Sequence, residues 1–261
     1  MRHSHRRSGA PVGAGVVLGG LLLAGASAAE ETGADGAEWS FRVAPYLWLA
    51  GLSGEAATLP GAPPAEIDLS FGDILETLRF GAFVAAEARR GDLFLRADLQ
   101  AVLTETDVDT PGPRFSGGTL SSDTYFLGLY AGGVVYADER VTAEAFAGAR
   151  AWLLDTGLSL DAGLADAASR SRTETFASPV AGLSGRAALS ADWTLFASGS
   201  VGGFGAGADL DASATGGLRY AAGETWGLVA GYRWLRIDYS DGAFLYDATQ
   251  QGPFLGADFR F

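Results

Sequence analysis

Leu93-Phe94-Leu95-Arg96-Ala97-Asp98-Leu99-Gln100-Ala101-Val102-Leu103-Thr104 alternates without a break. Its odd positions are all Leu or Ala, while its even positions carry Arg96, Asp98, Gln100 and Thr104. Successive side chains of a strand point to opposite faces, so this period of two predicts a strand with one apolar and one polar face. The period returns in Val141–Leu153, where Val141, Ala143, Ala145, Ala147, Ala149, Ala151 and Leu153 oppose Glu144, Phe146, Arg150 and Trp152. It returns again at the end of the chain, where Leu255, Ala257, Phe259 and Phe261 alternate with Asp258 and Arg260. A wholly apolar strand face meets either a second protein layer or lipid.

The spacing of turns chooses between these. Short polar turns fall at Arg89-Arg90-Gly91-Asp92, Asp138-Glu139-Arg140, Ser190-Ala191-Asp192 and Ala222-Gly223-Glu224. Between them lie longer segments rich in Asp, Gly, Ser and Thr, at 51–78, 107–122, 156–172, 207–211 and 239–250. Alternating short and long connections are the pattern of outer-membrane barrels, with short periplasmic turns and long outer loops. The reading is all-β: a ten-stranded antiparallel transmembrane β-barrel. Its strands are 39–50, 79–89, 93–106, 123–137, 141–155, 173–189, 193–206, 212–221, 225–238 and 251–261. Each supplies the ~9–11 residues that a tilted membrane strand needs, and the even count brings both ends of the barrel domain, 39–261, to the periplasmic side. A secreted β-sandwich or lipocalin-like barrel is the runner-up, but soluble barrels put their apolar faces inward. Two places blur the alternation. Tyr125–Tyr136 carries large apolar residues on both faces, and after Arg233 the phase slips, because Trp234 and Leu235 cannot both face lipid. A bulge would account for the slip.

The N-terminus reads as an export signal. Arg2, Arg6 and Arg7 precede an apolar run from Val12 to Ala26, and Ala26-Ser27-Ala28 offers a small-residue cleavage site. Residues 1–29 are therefore expected to be removed, leaving a short periplasmic segment, 30–38, ahead of the barrel. All 18 basic residues are Arg, the formal charge is −13, and there is no Cys. These facts exclude a disulfide framework, thiol catalysis and cysteine-ligated zinc, and argue against nucleic-acid binding.

The final residues, Gly252-Pro253-Phe254-Leu255-Gly256-Ala257-Asp258-Phe259-Arg260-Phe261, resemble the signal read by the outer-membrane barrel assembly machinery, with Leu255, Ala257, Phe259 and Phe261 as its apolar positions. Ala44-Pro45-Tyr46-Leu47-Trp48, Ser70–Leu78, Gly202-Gly203-Phe204-Gly205, Gly231-Tyr232-Arg233-Trp234-Leu235 and Asp238–Gly242 extend the likeness over most of the chain. Together they resemble a porin-like family of Gram-negative outer-membrane β-barrel proteins. The resemblance implies a fold and a location, the cell outer membrane, with outer-membrane lipid, lipopolysaccharide and the assembly machinery as partners. It implies no chemistry.

An enzyme is not expected. Outer-membrane hydrolases and acyltransferases pair His with Ser or Asp, and His3 and His5 are the only histidines, both within the signal. Gly182-Leu183-Ser184-Gly185 fails the G-x-S-x-G pattern at Arg186. Asp107 and Asp109 read as an ordinary acidic loop rather than an acid–base pair. Gly203–Ala208 mimics a dinucleotide fingerprint without the strand–helix unit that such a site requires. No cofactor or metal site is assigned.

The charged strand face is more informative. Following the alternation, Arg42, Arg79, Glu87, Arg96, Asp98, Glu144, Arg150, Arg186, Arg219, Arg233, Asp258 and Arg260 line the lumen, an excess of Arg inside an acidic chain. Rings of Arg favour anions in pores, whereas buried charges are costly unless paired. Tyr46, Trp48, Phe83, Phe94, Phe146, Trp152, Phe196 and Phe254 share that inner face. Two readings stay open: a narrow anion-preferring pore for small solutes, and a closed structural or surface-interaction barrel with a plugged lumen. Paired arginines and a mouth covered by 51–78 would distinguish the second. Phe71, Ile74, Leu75 and Leu78 have helical spacing, giving that segment a short amphipathic helix, either at the barrel mouth or at the membrane interface. Asp107, Asp109, Asp155, Asp161, Asp209, Asp211, Asp238, Asp241 and Asp247 are placed in solvated outer loops, where divalent cations are a lesser expectation. Trp39, Trp193, Trp226, Trp234, Tyr220 and Tyr232 suit an aromatic girdle.

Overall fold

The computed structural model describes residues 38–261 apart from positions 60, 62 and 111. The expected signal, 1–29, and the segment 30–37 lie outside the described residues. The elements in chain order are β1 Trp39–Trp48, β2 Gly51–Ala57, β3 Ala65–Leu69, α1 Phe71–Thr77, β4 Leu78–Arg90, β5 Leu93–Val108, β6 Phe115–Ala137, β7 Val141–Ala162, β8 Ala168–Ala188, β9 Trp193–Ala206, β10 Ala208–Ala221, β11 Trp226–Asp241 and β12 Phe244–Arg260. β1 and β4 to β12 pair in order, all antiparallel, and β1 closes the ring against β12 with Arg42 opposite Arg260. The result is a closed ten-stranded barrel. Short turns and both barrel termini share one end, the periplasmic end in barrels of this build.

The alternation explains the wall. Leu93, Leu95 and Leu99 are exposed on the outer surface, with Leu129, Leu183 and Leu255 elsewhere around it. Phe94, Gln100, Glu144, Arg150 and Trp152 are buried inside. From Leu93 to Leu103, at about 3.4 Å per residue and a tilt near 40°, the apolar band is roughly 26 Å tall. Trp39, Trp193, Tyr220 and Trp226 stand exposed near its periplasmic edge.

Several expectations need correction. The segments 107–122, 156–172, 207–211 and 239–250 are mostly strand rather than loop. The hairpins continue beyond the lipid, where an outward face rich in Ser, Thr and Asp no longer advertises a strand. The segment 51–78 likewise holds a hairpin: β2 continues β1, pairs with β12 from Gln251 to Leu245, and carries β3 on its other edge.

The phase does not slip after Arg233. β11 keeps unbroken register with β10 and β12, so Leu235, Ile237 and Tyr239 point inward while Trp234, Arg236 and Asp238 point outward. What changes is the polarity of the two faces. Above the membrane the outside meets water, and the barrel there is filled like a soluble one, by Trp152, Leu154, Phe176, Leu235, Ile237, Tyr239, Phe244, Tyr246 and Ala248.

In β6 the double-sided apolar run resolves as Phe126 inward and Leu127 and Leu129 outward, with a bulge between Val134 and Tyr136 that leaves Val135 exposed. A second bulge removes Arg79 from the lumen. Leu78 pairs with Thr104 but Phe80 with Leu103, so Arg79 is the extra residue and meets Glu105 at 3.0 Å on the exposed surface.

The fingerprint-like glycines form the tight reversal between β9 and β10. Gly203, Phe204, Gly205 and Gly207 all have positive φ, and a Cβ on Gly207 would collide with the backbone oxygen of Ala177.

Candidate functional site

The lumen side chains form three successive layers above the periplasmic mouth. At the mouth, Asp258 of β12 is surrounded by Arg219 at 2.8 Å and by Arg42 and Arg260 at 3.7 Å each. Asp258 is buried, while Arg42 and Arg260 remain open to the mouth. The Nε of Arg42 and the Nη2 of Arg219 are buried without a hydrogen-bond acceptor among the described residues.

The next layer centres on Glu144 of β7. It accepts from Arg89 and Arg96 at 2.5 Å each and from Ser184 at 2.9 Å, and lies 3.3 Å from Arg186. Glu87 accepts from Arg96 at 2.6 Å and from Arg89 at 3.1 Å. The Arg96 guanidinium also lies 3.9 Å from the Phe94 ring centre, a cation–π contact that fixes its plane. Register places these groups together, since Glu87 faces both Arg42 and Arg96 across neighbouring strands and Glu144 faces Ser184.

The third layer crosses the barrel. Arg233 of β11 pairs with Asp98 of β5 at 2.8 Å, and Tyr46 of β1 bridges them, accepting from Arg233 and donating to Asp98 at 2.9 Å each. Beside it Arg150 binds Asp211 at 2.5 Å and donates to Tyr130, Ser200 and Ser213, while Trp152 Nε1 donates to Asp211. Aromatic rings roof this layer. Arg233 lies 5.0 Å from the Trp48 ring centre and 5.8 Å from that of Phe126, and Phe126 packs edge-on to Trp152.

The layers divide the interior into two chambers. The lower, about 360 Å³, is lined by groups including Arg42, Glu87, Arg96, Glu144, Arg186 and Arg233. The upper, about 600 Å³, lies over Trp48 and Phe83.

Eleven of the twelve residues assigned to the lumen by alternation take part in these layers; Arg79 stands outside. Two charged participants were missed. Arg89 was read as part of a turn, yet it shares the inward parity of Glu87. Asp211 was read as a solvated loop acid, yet it is fully buried and shares the inward parity of Arg219. Among the described residues, six arginines of the two lower layers face three carboxylates, whereas the third layer balances Arg150 and Arg233 with Asp211 and Asp98. Among the described residues there is also no group of three or more acidic or His side chains able to hold a metal.

At the outer rim, α1 is held by a capping box. Ser70 Oγ accepts from the Asp73 backbone N–H, and the Asp73 carboxylate accepts from the Ser70 N–H at 2.8 Å and its hydroxyl at 2.7 Å. These hydrogen bonds hold the Asp73 carboxyl below its usual pKa. A depressed folded-state pKa gives stability that is present above the unfolded value and lost as pH falls through the folded one. A nitroxide attached at Glu76→Cys, the only thiol in the chain, is therefore expected to gain mobility as pH falls below about 4. With Asp73→Asn added, its mobility should be high and independent of pH.

No known protein-family pattern matches the chain, and no curated protein matches it. Solved structures of outer-membrane barrels do. The outer-membrane protease OmpT from Escherichia coli is similar with a TM-score of 0.51 and 11% identity, over 88% of this chain and 99% of that one. The translocator domain of autotransporter NalP from Neisseria meningitidis gives 0.46 and 14%, over 86% and 89%. Ail, the attachment invasion locus protein of Yersinia pestis, gives 0.34 and 14%, over 85% and 98%. At such identities the likeness concerns the fold: the chain is an outer-membrane-type β-barrel.

Proposed function

We propose that the protein is an integral outer-membrane barrel that does not conduct, and that its activity is presented at the outer end. The observation that carries this reading is the third lumen layer, where Arg233–Asp98–Tyr46 and Arg150–Asp211 span the interior beneath Trp48, Phe126 and Trp152. Charge pairs of this burial are held by several hydrogen bonds each and resist separation. The reading is non-enzymatic. The chain has no His outside positions 3 and 5, and the lumen carboxylates Glu87, Asp98, Glu144, Asp211 and Asp258 are all engaged by Arg. Leu255, Ala257, Phe259 and Phe261 alternate along the last strand, with Leu255, Phe259 and Phe261 exposed, as presentation to the assembly machinery requires.

One observation favours a second reading, anion passage. The lower chamber holds more Arg than carboxylate, and among the described residues Arg42 Nε and Arg219 Nη2 have no hydrogen-bond acceptor. Anions would enter from the periplasmic side and pass only if the third layer parted. Planar-bilayer recording separates the two. Wild-type protein, with folding checked by its heat-dependent gel shift, is expected to be electrically silent. Arg233→Ala, Asp98→Ala and Trp48→Ala combined should give discrete anion-preferring steps. Stable steps from the wild-type barrel would overturn the closed reading.

A further inference from the structure

The upper chamber has two unlike walls. On one side β2, β3 and α1 contribute Leu52, Ala56, Ile67, Leu69, Phe71 and Ile74, an aliphatic and aromatic surface. On the other, β5, β6 and β7 place Thr104, Ser122 and Thr156 directly opposite one another across the sheet, with Thr106 and Thr124 beside them. The Thr104 hydroxyl donates to the Ser122 backbone oxygen, which leaves its lone pairs free to accept. Among the described residues, Asp73 and Glu76 of α1 are the only carboxylates or cations that line it, and both are exposed at the rim. A volume near 600 Å³ lies inside the usual ~300–1,000 Å³ of small-molecule sites, which combine an apolar lining with a few placed polar groups.

The wall is also interrupted here. Among the described residues β3 pairs only with β2, and β5 above Thr104 pairs only with β6; between these two edges stands α1, a helix. The break lies at the upper border of the lipid-facing band, level with the Arg79–Glu105 pair on the outer surface. Leu69 is 42% exposed although it faces inward, because it faces this chamber.

We propose that the chamber is a binding site for a small neutral amphiphile: an aromatic or aliphatic body with one uncharged hydroxyl or carbonyl edge, its body against the β2–β3–α1 wall and its polar edge on the β5–β7 hydroxyls. An anionic ligand would lose hydration without gaining a counter-charge, a cationic one would be held by Asp73 and Glu76 at the solvated rim rather than inside, and a purely apolar one would leave the hydroxyl wall unsatisfied. The assignment goes beyond the closed-lumen reading and does not depend on it, because the chamber lies entirely above the third layer.

Calorimetric titration of the barrel in lipid nanodiscs, against empty nanodiscs, tests it with 1-naphthol and naphthalene as a matched pair. 1-Naphthol is expected to bind about tenfold more tightly than naphthalene, the worth of one satisfied hydrogen bond. Thr104→Val, Ser122→Ala and Thr156→Val combined should erase that preference while leaving naphthalene unchanged. Ala56→Trp, or independently Leu52→Trp, should weaken both ligands at least tenfold by filling the space, whereas Leu99→Trp on the lipid face should change neither. Three results would overturn the proposal: no binding above empty nanodiscs, equal affinity in folded Ala56→Trp and Leu52→Trp barrels, or a chamber already occupied by a co-purified phospholipid chain that naphthol does not displace.

Discussion

Asp211→Ala is expected to cost about 3–5 kcal/mol of folding stability, the loss typical when one partner of a buried ion pair is removed. Asp211 is fully buried and Arg150 is 3% exposed, so the guanidinium left behind has little contact with solvent. It would keep only neutral acceptors, Tyr130, Ser200 and Ser213, and Trp152 Nε1 would lose its acceptor as well. Against a total of about 5–15 kcal/mol for a folded protein this is a large fraction. The measurement is the urea midpoint of the barrel refolded into lipid vesicles. Asp209→Ala, two residues away and exposed, should stay within about 0.5 kcal/mol. Arg150→Met added to Asp211→Ala should recover part of the loss, since it removes the stranded charge. An Asp211→Ala barrel as stable as wild type would mean that the pair does not hold the third layer together.

Glu144→Ala should have the next largest effect, about 3 kcal/mol, somewhat below Asp211 because its partners border the lower chamber. Glu144 is 3% exposed and serves Arg89, Arg96, Arg186 and the Ser184 hydroxyl at once. Its loss would leave three guanidiniums facing Glu87 alone. Arg96→Ala combined with Glu144→Ala should therefore be more stable than Glu144→Ala by itself, a reversal that simple loss of packing would not produce. Glu105→Ala is the comparison. It breaks a pair of the same chemistry with Arg79, but both side chains are about half exposed, so the cost should not exceed about 1 kcal/mol.

The barrel was legible because lipid enforces the alternation. Leu93–Leu103 and Val141–Leu153 each have a single apolar face, and the same parity carries Arg96, Asp98, Glu144 and Arg150 to the lumen. Legibility ended where the apolar face ended. The strand portions above the band look like loops, because their outward face is solvated and their inward face supplies the apolar residues instead. Leu235 after Arg233 was thus taken for a slip when it marks that exchange. Arg89 and Asp211 were lost for a related reason: each lies near a strand end, in an Arg-rich or Gly- and Asp-rich setting that resembles a turn. Counting parity two steps further from Glu87, and downward from Arg219, would have found both. Arg79 could not be recovered this way, since a bulge shifts parity without leaving a mark in composition. The pairing of particular arginines with particular carboxylates depends on register across strands far apart in the chain, such as Asp98 with Arg233, which local pattern does not contain.

The exchange of polarity along β11 also acts as a depth gauge. Below Arg233 the outer surface presents Leu228 and Tyr232; above it come Arg236 and Asp238. Sinking by one two-residue step would drive those charges into hydrocarbon, and rising by one would strip lipid from Tyr232 and Leu255. The vertical position is therefore pinned, and a bilayer thicker than the roughly 26 Å band must thin around the protein, since the barrel has no inexpensive way to float. Mismatch of this kind costs fractions of a kcal/mol per Å. The same two-residue exchange that obscured the strand in the sequence thus selects the membrane in which the barrel rests most comfortably.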